Sequence, residues 1–129
     1  MLLSRRQLQR QQGCPRRGIL PGLYASAALL KSSTALLPAI ALRPPGKNVL
    51  GKNSADAMRY GLLCGSAMMV DGFLERYRAL PGMAGAAAIA TGGSAALLTA
   101  SCRSEITVDP ELTLRGLRQL YQLNTAKKL

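Results

Sequence analysis

Two adjoining segments constrain this chain most. Residues 51–80, GKNSADAMRYGLLCGSAMMVDGFLERYRAL, pattern as one long helix, and residues 84–101, AGAAAIATGGSAALLTAS, pattern as strand, turn and helix. In the first, Leu63, Cys64, Ala67, Val70 and Leu74 recur at helical spacing and predict one buried stripe on a helix over residues 55–79. Asn53 or Ser54 suits the N-cap, Asp56 falls in the first turn, and Pro81-Gly82 ends the run. Interior glycines cost a helix about 1 kcal/mol each relative to alanine. Gly61 and Gly65, four apart, with Gly72 therefore point to a close contact: ordinary helix packing, a subunit interface or a substrate wall.

In the second segment the stretch over residues 84–90 predicts a buried strand, although alanine is a poor strand former. Thr91-Gly92-Gly93 is its turn, and residues 94–99 form a short helix. A strand ending in such a turn gathers backbone N–H groups and a helix N-terminus at one point, which favours a nucleotide or phosphate. Two glycines after a strand serve a tight turn equally well. Further on, residues 106–108 read as a strand and Asp109-Pro110-Glu111 as a helix start, with Asp109 the cap and Pro110 the first helical residue. Leu114, Leu117, Leu120 and Tyr121 then repeat at helical spacing and are expected to pack inward. Upstream, residues 18–22 read as a strand end turning into a helix over residues 23–30, which stops before Pro38. Residues 39–45 are extended, because Pro44 and Pro45 bias the backbone before them away from helix.

A length of 129 residues makes one domain the default. The net charge of +11 is lopsided: residues 1–55 hold nine Lys/Arg and no acid, whereas residues 56–129 hold eight against six acids, a net of +2. The basic excess thus belongs mainly to residues 1–55, within which residues 1–17, MLLSRRQLQRQQGCPRR, with five arginines, read as a disordered, solvated tail. That tail is Arg-rich like a transit peptide but lacks an apolar face, and it lacks the interleaved aromatics of a nucleic-acid binder. No apolar core follows its charges, which argues against a secretory signal, and no apolar run suits a membrane span. Three dispersed cysteines, Cys14, Cys64 and Cys102, with no histidine in the chain, argue against a zinc site or a disulfide framework. Acid or base chemistry would fall to a carboxylate, Lys, Tyr or Cys.

The order of the motifs is more specific than any one of them. Gly18-Ile19-Leu20-Pro21-Gly22, Gly51-Lys52-Asn53-Ser54 leading into Ala57-Met58-Arg59-Tyr60-Gly61, Val70-Asp71-Gly72, Ala90-Thr91-Gly92-Gly93, and the run from Val108 through Asp109-Pro110-Glu111 to Leu117 together resemble the C-terminal half of type III pantothenate kinases. The resemblance covers residues 18–124, leaving 1–17 and 125–129 as tails. It implies an α/β fold, one ribonuclease-H-like half-domain of the acetate and sugar kinase, heat-shock ATPase and actin superfamily, helix-rich with a small sheet. It also implies a cytoplasmic enzyme that phosphorylates pantothenate with ATP in the first step towards coenzyme A. Magnesium and a monovalent cation, potassium or ammonium, are expected for the intact enzyme, and a homodimer through the long helix. By the same resemblance Ser54 takes the place of a threonine that contacts pantothenate, and Thr91, Gly92 and Gly93 form the adenosine-side turn. The stretch over residues 18–22 lies beside the cleft, and Asp71 is structural.

The family's phosphate loop, Asp-x-Gly-Asn-Thr, its catalytic aspartate and its cation-site aspartate find no counterpart, since Asp56 is the first carboxylate. Phosphoryl transfer depends on charge positioned around the phosphates and on an oriented nucleophile, so no catalytic residue is assigned and the chain alone is expected to be inactive. A truncated, frameshifted or split gene would give this appearance. The alternatives are one half of a split kinase, or a nucleic-acid- or protein-binding module related to Bvg accessory factors.

Overall fold

Asn53 sets where the longest element begins. In the computed structural model, which describes residues 18–44 and 51–126, the Asn53 side chain accepts from the Asp56 N–H at 2.9 Å and its amide donates to the Asp56 carboxylate at 2.9 Å. An N-cap satisfies one of the donors a helix start leaves open, and an acid in the first turn suits the helix dipole. Among the described residues the order is α1 (Leu23–Ser32), α2 (Ser54–Arg78), β1 (Ile89–Ala90), α3 (Ala95–Thr99), β2 (Thr107–Val108) and α4 (Leu112–Ala126).

The core follows the stripe on α2. Leu63 and Ala67 are fully buried, Met58 and Ala95 are buried with them, and Leu23 joins from α1, which packs along α2. Cys64, Val70 and Leu74 are half-buried. Arg59 ties the extended segment before α2 to this helix: its Nε donates to the Ala41 carbonyl at 3.1 Å and its guanidinium pairs with Asp56 at 2.7 Å. Gly18 sits over the Phe73 ring, where a side chain would begin 3.3 Å from the ring edge.

The small sheet is parallel, with Ile89 opposite Thr107 and Ala90 opposite Val108. The Thr107 N–H donates to the Ala88 carbonyl at 3.0 Å and the Asp109 N–H to the Ala90 carbonyl at 2.8 Å. A parallel pair needs a crossover, and α3 supplies it, touching both strands and α2. The chain is therefore α/β and helix-rich, with a two-stranded sheet.

Five expectations change. The strand over residues 84–90 shrinks to Ile89–Ala90 and is half-buried rather than buried, because its one partner among the described residues pairs with only two residues and alanine adds little strand preference. Residues 18–22 are extended coil with no ladder partner among the described residues. The last helix starts at Leu112 instead of Pro110; Asp109 Oδ1 accepts from the Glu111 N–H at 3.1 Å and holds Pro110 and Glu111 in a turn. Finally, Leu114, Leu117, Leu120 and Tyr121 are exposed, and α4 touches no other described element. Helical spacing identifies a face that gains from cover without saying where the cover lies. Thr125 and Ala126, read as tail from the sequence, are helical. The tail readings for residues 1–17 and 127–129, and Pro45 of the extended segment, lie outside the described residues.

Candidate functional site

β1 delivers the chain into Thr91, Gly92 and Gly93, all exposed. Gly92 has φ +102°, a conformation that favours glycine, and the Ala95 N–H closes the turn onto the Gly92 carbonyl at 3.1 Å. Apart from chain neighbours, no atom of the described residues lies within 4 Å of where a side chain would begin at Gly92 or Gly93, so a ligand can approach the backbone there.

The turn borders a cavity of about 590 Å³, within the range of small-molecule sites. Its walls are apolar: Val70 and Leu74 from α2, Ile89 from β1, Leu98 from α3, and Ile106 from the approach to β2. This lining suits a flat, weakly polar group such as a base, with the turn at its side. α3 has five residues, too few for a sizeable helix dipole. The site therefore rests on its apolar walls and its glycine turn more than on the helix N-terminus expected from sequence.

None of the six carboxylates, Asp56, Asp71, Glu75, Glu105, Asp109 and Glu111, lines this cavity. Asp56 is engaged by Asn53 and Arg59, and Asp109 by Arg115. Asp71 is the one buried charged residue among those described. Its Oδ2 accepts from the Arg103 N–H at 2.9 Å and its Oδ1 from the Ser104 N–H at 2.9 Å. The Arg103 N–H first, then the Ser104 hydroxyl and N–H, hold this carboxyl below its ordinary 3.8, while burial pushes the other way. Burial, and behind it the Asp71 charge, raise the Cys102 thiol above its usual range, which disfavours the nucleophilic thiolate. Cys64 and Cys102 are free thiols.

Ser54 stands apart. It is exposed at the first position of α2 and does not line the cavity, from which Val70 is about 24 Å away along the helix at 1.5 Å per residue. The structure thus brings Thr91, Gly92 and Gly93 together and leaves Ser54 at the far end of α2. Gly61, Gly65 and Gly72 face open space within 4 Å, so the contact that their number suggested is not made inside the described chain. Sequence reading missed the attachment of Asp71 to residues 103 and 104. Its signal was a carboxylate four residues after the buried Ala67, between the cavity-lining Val70 and Leu74.

The fold and site define an α/β protein whose central unit is strand, glycine turn and helix over an apolar cavity. Residues 17–76 match the family model of type III pantothenate kinase. The chain is 37% identical over 113 residues to a type III pantothenate kinase of Rubrobacter xylanophilus, covering 84% of this chain and 43% of that protein. It is 38% identical over 108 residues to type III pantothenate kinase 1 of Symbiobacterium thermophilum (82% and 40%) and 39% identical over 110 residues to the Geobacillus thermodenitrificans type III pantothenate kinase (85% and 42%). The chain belongs to the type III pantothenate kinase family, and it spans about two fifths of the length of these curated relatives.

Proposed function

We infer that this chain carries the nucleotide-side wall of a kinase that transfers the γ-phosphoryl group of ATP to pantothenate, giving 4'-phosphopantothenate in the first step of coenzyme A synthesis. The observation that carries the reading is the Thr91-Gly92-Gly93 turn, open to approach and bordering an apolar cavity of about 590 Å³. In this reading the cavity takes the adenosine, the turn contacts it through backbone groups, and Ser54 offers its hydroxyl to pantothenate. Bound ATP supplies the transferable phosphoryl group. Among the described residues no three His, Cys, Asp or Glu side chains group to hold a metal ion, so magnesium and the monovalent cation are not fitted by these residues and no step is assigned to them.

No carboxylate lines the cavity, and no described residue is assigned as general base for the pantothenate hydroxyl. The reading is therefore of a chain that binds nucleotide and needs groups beyond these described residues to turn over. Two observations fit a unit completed by further protein: among the described residues the sheet has two strands, fewer than independently stable sheets have, and no described element covers the apolar face of α4. Self-association through α2 fits the open Gly61, Gly65 and Gly72 beside the exposed Met68 and Met69. No described helix is long and apolar enough to cross a membrane, and a cytoplasmic site of action belongs to the same reading.

Backbone amide resonances of the purified chain, followed during titration with ATP and then pantothenate, test this. ATP should move Thr91, Gly92 and Gly93, pantothenate should move Ser54, and no ADP should form. Movement confined to other residues, or pantothenate-dependent ADP release by the chain alone, would contradict the reading.

A further inference from the structure

Asp71 is a charged group placed where burial opposes it. Its side chain is 8% exposed, and the Arg103 guanidinium, itself 89% exposed, stands 3.9 Å away, too exposed a partner to compensate burial by itself. Two backbone N–H groups from residues adjacent in sequence, Arg103 and Ser104, one to each carboxylate oxygen at 2.9 Å, do the compensating. This is a two-point attachment, fixing both the distance and the orientation of that loop against α2.

The loop is the start of a short path to the cavity. Ile106, two residues after Ser104, lines the cavity, and Thr107 follows with its N–H on the Ala88 carbonyl. β2 thereby registers β1, and β1 runs directly into Thr91, Gly92 and Gly93. On the α2 side, Val70 precedes Asp71 and Leu74 lies one turn on, and both line the same cavity. Asp71 itself does not. It stands between cavity-lining Val70 and Leu74 on α2 and holds a loop that leads within two residues to cavity-lining Ile106.

We propose that Asp71 is a positioning residue for the nucleotide site: it holds the loop over residues 103–104 so that Ile106 and the β1–β2 register set the place of the Gly92-Gly93 turn. This rests on the nucleotide reading above for its functional consequence, while its structural half stands apart from it. Asparagine at this position keeps the shape and one acceptor but sets an NH₂ group against the second N–H, which breaks the two-point attachment.

The test compares the full chain with Asp71→Asn by backbone amide resonances, far-UV circular dichroism and ATP affinity. The Gly92 and Gly93 amides should shift in the variant although neither residue touches residue 71, with helix content retained and ATP affinity about tenfold weaker, as for other displaced binding groups. If only the Arg103 and Ser104 amides shift, or if ATP affinity is unchanged in a variant whose Gly92 and Gly93 amides move, Asp71 is a local fastening and the proposal is overturned. If the unsubstituted chain does not bind ATP, the nucleotide reading fails, and the Gly92 and Gly93 shifts still decide the positioning. Should the variant not fold, hydrogen exchange in the unsubstituted chain decides instead: Ser104, Thr107 and Asp109 amides should open with one common rate, and separate rates would overturn the coupling.

Discussion

Gly51 shows how much one missing side chain can determine. A Cβ there would lie against the backbone N of Ala57 and 2.7 Å from its Cα, atoms that cannot move without shifting the first turn of α2. Gly51→Ala should lower stability by about 1–3 kcal/mol, the usual range for forcing extra atoms into filled space, as measured by urea unfolding; an unchanged midpoint would show that the loop relaxes freely. At Asp71 the prediction concerns pH. Its carboxyl is held below the ordinary 3.8, so its ionised form favours the folded state: the contribution is complete above that value and is lost as pH falls through the lower folded value. Asp71→Asn should therefore flatten the acid limb of a stability-against-pH curve below pH about 4, and an unaltered limb would contradict the assignment. Gly51's need for glycine comes from its close approach to the Asp56–Ala57 backbone, which no spacing in the sequence reports. Asp71 was visible as a carboxylate in an apolar helix, and its partners lie 32 and 33 residues away.

Elements were legible in proportion to how far their signals are local. α2 starts where Asn53 and Asp56 predict and stops within a residue of the expected end, because caps, acids and the Pro81-Gly82 stop act over a few residues. Asn53→Ala should cost about 1 kcal/mol of unfolding free energy in urea, as lost caps do; no loss would mean that the Arg59 tie alone seats the helix. β1 was over-read because strand length is decided by partners, and its one described partner pairs at two residues. α4 was read correctly as amphipathic and incorrectly as buried, since periodicity names a face and not its cover. Leu117→Gln at 58% exposure should change monomer stability by less than about 0.5 kcal/mol, as surface changes do. A larger loss would show that α4 is packed in solution.

At the scale of the whole molecule, the family was legible because several weak motifs fall in one order along the chain, and the identity of about two fifths to curated relatives agrees with that order. The turn of the candidate site was read from Thr91-Gly92-Gly93 directly. Its walls were not, because Val70, Leu98 and Ile106 meet only after α3 crosses from β1 to β2. Ser54, placed by family likeness, remains about 24 Å along α2 from those walls. The central claim is that the glycine turn is a nucleotide contact. Calorimetric titration of ATP into the chain and into Gly92→Val tests it most directly, because valine is strained at φ +102° and adds bulk at an open backbone. The account predicts binding by the unsubstituted chain that Gly92→Val weakens at least about tenfold, a change of about 1.4 kcal/mol, with helix content unchanged. Equal ATP affinity in both proteins, or no binding by either, would contradict it.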